Sequence, residues 1–387
     1  MKRIYMDYAA TTPLDPRVRE AMDPFLNEQF GNPSSIHSYG QETLASVETA
    51  RKSVADLLHA DPSEIVFNSG GTEADNTAVK GVCYALQKKG NHIITTAIEH
   101  HAILRCCEFM VSQGFNVTFL PVGKEGIVDP SDVDKAIRKD TILISIMHAN
   151  NEIGTLQPIS EIGAIAQEKS ILFHTDAVQT FGHIEIDVNV MGVDLLSLSA
   201  HKVYGPKGVG ALYIKKGTPL IPLLHGGGQE KGRRSSTYHV TGIVGLGKAA
   251  EIARKEMNEE KKDIVHLRDR LLDHIQQQID GVFLNGHRKL RLPNNLNISI
   301  EHVEGEAVLM SLDMEGIAVS SGSACSSGST VPSHVLTALG LSPELARGSL
   351  RLTLGKFTHE KDVDYVANVL QKTVYHLRSL SPFERGA

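Results

Sequence analysis

Between about residues 40 and 215 the chain alternates between two hydrophobic periods. Short runs dense in β-branched and aliphatic residues, at 64–67, 92–95, 116–120, 141–147 and 170–174, predict strands. Between them, stretches with apolar residues every three or four positions, at 43–58, 72–88 and 159–169, predict helices. Strands alternating with helices build βαβ units and a largely parallel sheet covered on both faces. In such sheets ligands gather at the carboxyl ends of the strands. Polar residues that follow a strand run therefore become candidates for function.

From about residue 242 the pattern changes. A long helical stretch, 245–279, leads to strand-like runs at 295–300 and 349–354 and to an amphipathic helix at 363–377, the makings of a smaller α+β unit. A chain of 387 residues exceeds one hydrophobic core. The expected division is a large domain over 15–255 and a small one formed by 1–14 and 256–387.

Composition narrows the function classes. The chain is 41% hydrophobic and 22% charged, as an ordinary globular protein is. A net charge of -6 argues against nucleic acid as a partner. The N-terminus lacks an apolar leader and no run of about 18 apolar residues occurs, so neither membrane insertion nor export is expected, and the expected location is the cytoplasm. Four cysteines do not make a disulfide framework. Cys83, Cys106 and Cys107 fall in helical patterns and read as core. No CxxC pair occurs, and no intrinsic metal site is expected.

Five segments carry candidate chemistry. The run 195–199 delivers Ser199, His201 and Lys202 to a Gly/Pro-rich turn. An amine there, among hydroxyl and imidazole donors, suits a Schiff-base lysine; a solvated loop lysine is the other reading. Ser69-Gly-Gly-Thr-Glu73 joins a strand end to a helix start, where Gly71 and Thr72 could receive a phosphate or simply cap a helix. Asp176, after the run at 170–174, could pair with a protonated pyridine nitrogen, with Gln179 near a ring hydroxyl; alone it is an N-cap. His100 can stack on a flat cofactor and act as acid or base, whereas the adjacent His101 points elsewhere, which argues against a shared metal. Cys325, within Ser321-Gly-Ser-Ala-Cys-Ser-Ser-Gly-Ser-Thr330, sits in the composition of a mobile loop, where an exposed thiol makes sense as a nucleophile. Arg351, on a strand-like run, could grip a carboxylate or form a surface ion pair. The match Gly245-Leu-Gly-Lys-Ala-Ala250 to a dinucleotide fingerprint follows no strand and reads as a helix start.

Taken in order and spacing, these segments closely resemble the pyridoxal-phosphate-dependent cysteine desulfurases of the NifS/IscS group, within the class V aminotransferase family. The resemblance runs essentially end to end, through Tyr5-Met-Asp-Tyr-Ala-Ala-Thr-Thr12, Phe30-Gly-Asn-Pro-Ser-Ser35, Ser69-Gly-Gly-Thr-Glu73, Glu99-His100, Asn150-Asn-Glu-Ile-Gly154, Asp176-Ala-Val-Gln179, Ser199-Ala-His-Lys202, Arg234-Ser-Ser-Thr237, Ser321-Gly-Ser-Ala-Cys325 and Arg351. It implies an α/β protein of PLP-dependent transferase fold type I, aspartate-aminotransferase-like, acting as a homodimer with sites at the subunit interface.

The resemblance also implies roles. Lys202 would hold pyridoxal 5'-phosphate covalently, with His100 on its ring, Asp176 at the pyridine nitrogen and Gln179 at the ring hydroxyl. Gly71, Thr72, Ser199 and His201 would hold the phosphate, helped by Thr237 of the second subunit. Asn151 and Arg351 would bind the carboxylate of L-cysteine. Cys325 would take the substrate sulfur as a persulfide, leaving alanine, and pass it to a U-type iron–sulfur scaffold or another acceptor such as a tRNA-thiolation relay; it could also serve as a transient cluster ligand. Selenocysteine lyase, another aminotransferase-type activity and a non-enzymatic sulfur carrier are the rival readings. Two departures stand out: the family commonly has Gly where Ser236 stands, and often Gly at Ala200.

Overall fold

The computed structural model describes residues 3–321 and 332–380. A seven-stranded sheet forms its centre, in the order Ile65–Asn68, Gly210–Ile214, Leu195–Ser199, Leu172–Asp176, Thr141–Ser145, His92–Thr96 and Asn116–Leu120. It is parallel except for Gly210–Ile214, which runs antiparallel to both of its neighbours. The reason is the link from Ser199. One 3-10 turn, Ala200–Lys202, and a Gly/Pro turn are shorter than the dozen or so residues that a crossover needs, so the chain doubles back.

Predicted and observed elements differ mainly at their ends. The helices expected at 43–58, 72–88 and 159–169 are Ser38–Leu58, Gly71–Leu86 and Ile159–Glu168. The run expected at 141–147 stops pairing at Ser145, and that expected at 170–174 is shifted to Leu172–Asp176, which makes Asp176 the last strand residue. The helix expected from 245 begins at Val240 and runs to Gln278, placing the fingerprint-like glycines inside it. There they allow close packing: a Cβ at Gly247 would lie 2.5 Å from Ala50 Cα of the helix Ser38–Leu58.

A second, four-stranded antiparallel sheet has the order Ser320–Ser321, Ser349–Thr353, Asn295–Ile300 and Val282–Leu284. The N-terminal strand Ile4–Tyr5 pairs in parallel with Ile317–Ala318. Helix Val240–Gln278 joins the two cores: Ile243, Leu246 and Ala250 pack against the large sheet, Leu271 and Ile275 with the small one. Among the described residues no helix is long and apolar enough to cross a membrane.

Candidate active site

Where the parallel strands end, a cavity of about 300 Å3 opens, lined by Gly71, Thr72, His100, Asn151, Asp176, Gln179, Ser199, His201, Lys202 and Arg351 together with Ala9, Ala10, Asp75, Met147 and Val178. Residues expected from four separate strand ends thus meet in one hollow. Two expected residues are not among the lining. Thr237 is exposed on the segment before helix Val240–Gln278. Cys325 lies outside the described residues.

One end of the cavity is built for an anion. Helix Gly71–Leu86 begins without a side-chain cap, after Gly70 at φ 142°. Only glycine adopts that conformation readily, and a Cβ there would face Ser199 Oγ at 3.6 Å. Asn68 Oδ1 takes the Gly70 N–H at 2.9 Å and Glu73 Oε2 takes the Ser69 N–H at 2.9 Å, which shapes the turn and leaves the first helical turn uncapped. An uncapped helix N-terminus favours negative charge. Next to it a second hollow includes Thr11, Ser199, His201 and Lys207. His201 Nδ1 lies 3.2 Å from Thr11 Oγ1. Burial, then the Lys202 and Lys207 charges, push this imidazole down to about 4, so it meets an anion neutral, through hydrogen bonds.

The middle of the cavity suits a flat cationic ring. Asp176 is buried, and its Oδ1 accepts the Val178 N–H at 2.9 Å. Burial raises its carboxyl to about 6, against the pull of Val178 N–H and Lys202. A buried carboxylate of this kind is stabilised when a cation arrives beside it. Gln179 Nε2 donates to Ala9 O at 3.0 Å. His100 caps helix His101–Ser112: its Nδ1 accepts the Ala102 N–H at 3.1 Å, so the ring proton sits on Nε2. Burial, followed by the charge of Lys202, lowers His100 to about 4, so the imidazole is neutral near pH 7. The His100 and His101 ring centroids are 6.4 Å apart with planes at 56°.

Lys202 ends the 3-10 turn, and its Nζ donates to the Ala9 and Ala10 carbonyls at 2.5 and 2.8 Å. The Lys202 carbonyl accepts from His183 Nε2 at 2.7 Å, which fixes the backbone below the amine. The roles of Ala9, Ala10 and His183 escaped the sequence reading. Ala9 and Ala10 lie in the Tyr5–Thr12 motif, but nothing local says that their carbonyls reach a lysine 192 or 193 positions on.

The other wall comes from the small sheet. Arg351, 2% exposed, donates through Nη1 to Asn151 O at 3.1 Å and through Nη2 to Asp7 Oδ1 at 2.9 Å. Its Nε is buried and has no hydrogen-bond partner among the described residues. An arginine fork held at both Nη atoms, with the Nε donor unused, is set to receive a carboxylate. The described residues on either side of 322–331 lie beside this wall. Ser320 pairs with Arg351 across the sheet. On the far side, Ser333 Oγ donates to Glu152 Oε2 at 2.5 Å and His334 Nε2 to Glu99 O at 3.0 Å.

A strand-end lysine, a buried carboxylate and a helix-bound anion site on a mostly parallel sheet define an enzyme of fold type I. The chain belongs to the class-V aminotransferase family, whose model matches residues 4–366, and within it to the NifS/IscS type. The cysteine desulfurase IscS of Dictyoglomus turgidum is 56% identical over 386 residues, covering 100% of this chain and 98% of that protein. The cysteine desulfurase IscS of Methanosarcina thermophila is 54% identical, covering 98% and 94%. Among solved structures, a NifS-like protein superposes with a TM-score of 0.92 at 40% identity, over 97% of this chain and 100% of the other. A structure described as SspA in complex with cysteine gives 0.82 at 40% identity, over 92% and 100%.

The cofactor of this enzyme is pyridoxal 5'-phosphate. The donor set fits it: an uncapped helix N-terminus for the phosphate, a buried carboxyl in need of a cation for the ring nitrogen, and an amine between them.

Proposed function

We propose that the protein is a cysteine desulfurase that takes sulfur from L-cysteine, releases L-alanine and carries the sulfur as a persulfide on Cys325. The observation that carries this reading is the meeting of Lys202, Asp176, His100 and the unsatisfied Arg351 Nε in one cavity. Relatives named cysteine desulfurase that match nearly the whole chain support it.

Pyridoxal phosphate, bound through Lys202, supplies an electron sink for the pair released when the substrate Cα–H bond breaks. Gly71, Thr72, Ser199 and His201 hold its phosphate, Asp176 its ring nitrogen and Gln179 its ring hydroxyl. Arg351 and Asn151 bind the substrate carboxylate. Lys202 Nζ, set free once the substrate amine has taken its place, would take the Cα proton. The Cys325 thiolate attacks the substrate sulfur: an S–S bond forms, the Cβ–S bond breaks and its electron pair stays with carbon. His100, which carries its proton on Nε2, exchanges protons with the substrate thiol and the carbon that becomes the alanine methyl.

The active unit in this reading is a homodimer. Leu26, Phe30, Ile36 and Tyr39 leave large apolar surfaces exposed, 92% in the case of Ile36, near the start of helix Ser38–Leu58. Thr237, exposed on its own chain, then completes the phosphate site of the second subunit. The sulfur acceptor is a U-type iron–sulfur scaffold or a tRNA-thiolation relay, and the compartment is the cytoplasm, which suits the buried free thiols of Cys83, Cys106 and Cys107.

The test uses L-cysteine and two variants. Cys325→Ser is expected to abolish both alanine release and the added sulfur seen by mass spectrometry, and Lys202→Ala to remove the visible absorption of the bound cofactor. Full-rate alanine formation in Cys325→Ser overturns the reading.

A further inference from the structure

Asp75 lies on helix Gly71–Leu86 at the wall of the cavity and is 1% exposed. It faces a row of buried polar side chains on one side of the large sheet. Strand register puts Ser145 opposite His174 and Asp176 opposite Ser197, and the two-residue period places all four on the face that the helix covers. Ser145 Oγ lies 2.9 Å from His174 Nδ1, and His174 Nε2 lies 2.9 Å from Ser197 Oγ. Ser197 lies beside the Asp75 carboxyl and bears on its charge. Asp75 Oδ1 has no hydrogen-bond partner among the described residues and lies 3.7 Å from His174 Nε2.

Two buried carboxyls, Asp75 and Asp176, therefore line the same cavity. An anion at Asp75 would leave one oxygen unbonded, next to a second carboxylate. Among the described residues, the row of Ser145, His174 and Ser197 itself holds no cation to offset it. Burial drives His174 down to about 3, while burial drives Glu99 up to about 8 and Cys106 up to about 12, so the other titratable groups facing Asp75 are neutral. Lys202 acts on Asp176. Burial and Asp176 together raise Asp75 well above the ordinary carboxylate range.

We propose that Asp75 is a positioning residue held as the neutral acid, closing a hydrogen-bonded row with Ser197, His174 and Ser145 so that the negative charge of the pair stays on Asp176. In that row the Asp75 O–H donates to Ser197 Oγ, the Ser197 hydroxyl to His174 Nε2, and His174 Nδ1–H to Ser145 Oγ. The Asp75, Ser197 and His174 protons each then have an acceptor, and Asp176 is left to meet the ring nitrogen. The inference rests on the pyridoxal-phosphate site described above.

The holoenzyme gives two readouts: the rate of cofactor loss on dilution and the pH midpoint of its visible band. Asp75→Asn replaces the O–H donor with an N–H donor of the same shape and charge. Its cofactor loss is expected to stay within about twofold of the unmodified enzyme. Its midpoint is expected within about 0.3 pH unit, the shift that a twofold change in proton affinity gives. Asp75→Leu breaks the row, and a roughly fivefold faster loss is expected, the worth of one buried hydrogen bond. If Asp75→Leu does not fold, Ser197→Ala breaks the same row and takes its place. A midpoint shift in Asp75→Asn as large as in the row-breaking variant means that Asp75 is ionised and overturns the inference. A row-breaking variant indistinguishable from the unmodified enzyme overturns it too. An unmodified enzyme with no visible band would instead sink the cofactor assignment itself, and this inference with it.

Discussion

Arg351 and Asp7 form an ion pair at 2.9 Å across the seam between the N-terminal segment and the small sheet. Asp7 holds one prong of the guanidinium, Asn151 O another, and the buried Nε is left for a ligand. A lysine keeps the charge but loses the fork. Arg351→Lys is therefore expected to raise KM for L-cysteine roughly tenfold to a hundredfold, the worth of a charged hydrogen bond, with the visible cofactor band unchanged. Steady-state kinetics with L-cysteine check it; an unaltered KM would show that the substrate carboxylate binds elsewhere.

Ser236 carries φ 103°, a region that side chains other than glycine rarely adopt, in the loop that leads to Thr237. The strain exceeds the chain entropy that a glycine would add to the unfolded state. Ser236→Gly should stabilise the protein by up to about 1 kcal/mol, read as a higher melting temperature. A lower melting temperature would show that the Ser236 side chain offsets its backbone.

The same loop is anchored by a buried ion pair. Arg51 meets Glu230 through two hydrogen bonds of 2.7 and 3.0 Å, donates to Ile65 O at 2.8 Å and lies 4.8 Å from the centroid of the Phe67 ring. Arg51→Met leaves the Glu230 carboxylate buried without its partner and should cost about 3 kcal/mol or more. The double change Arg51→Met with Glu230→Leu should recover most of that loss, since no lone charge remains. Denaturant titration of the three variants measures the coupling, and strict additivity would count against it.

Glu152 supplies the pH dependence. Burial raises its carboxyl from 4.5 to about 7, against the Ser333 hydrogen bond and the Arg351 charge. Its folded value lies above its unfolded one, so the contribution is complete below about 4.5 and is lost as pH rises through about 7. In Glu152→Gln that loss is absent. The stability of the variant relative to the unmodified protein should climb between pH 5 and 7 by at most about 1.4 kcal/mol per pH unit and then level off. Melting curves across that range decide it. A flat difference would mean that Glu152 is ionised throughout.

The chain itself determined the strand–helix alternation, the strand ends that bear Lys202, Asp176, His100 and Thr72, and through the ordered motifs the family and cofactor. Those features are local: a hydrophobic period of two or of 3.6 and a polar residue just past it are written in consecutive positions. Tertiary structure alone decided the rest. The Ala9 and Ala10 carbonyls on Lys202, the Asp7–Arg351 pair, the Ser333–Glu152 anchor and the row from Asp75 to Ser145 all join residues from 23 to 344 positions apart. Contacts that distant depend on sheet order, on which face a strand turns to its covering helix and on how the small sheet closes over the large one. Those are properties of packing, and no window of sequence contains them.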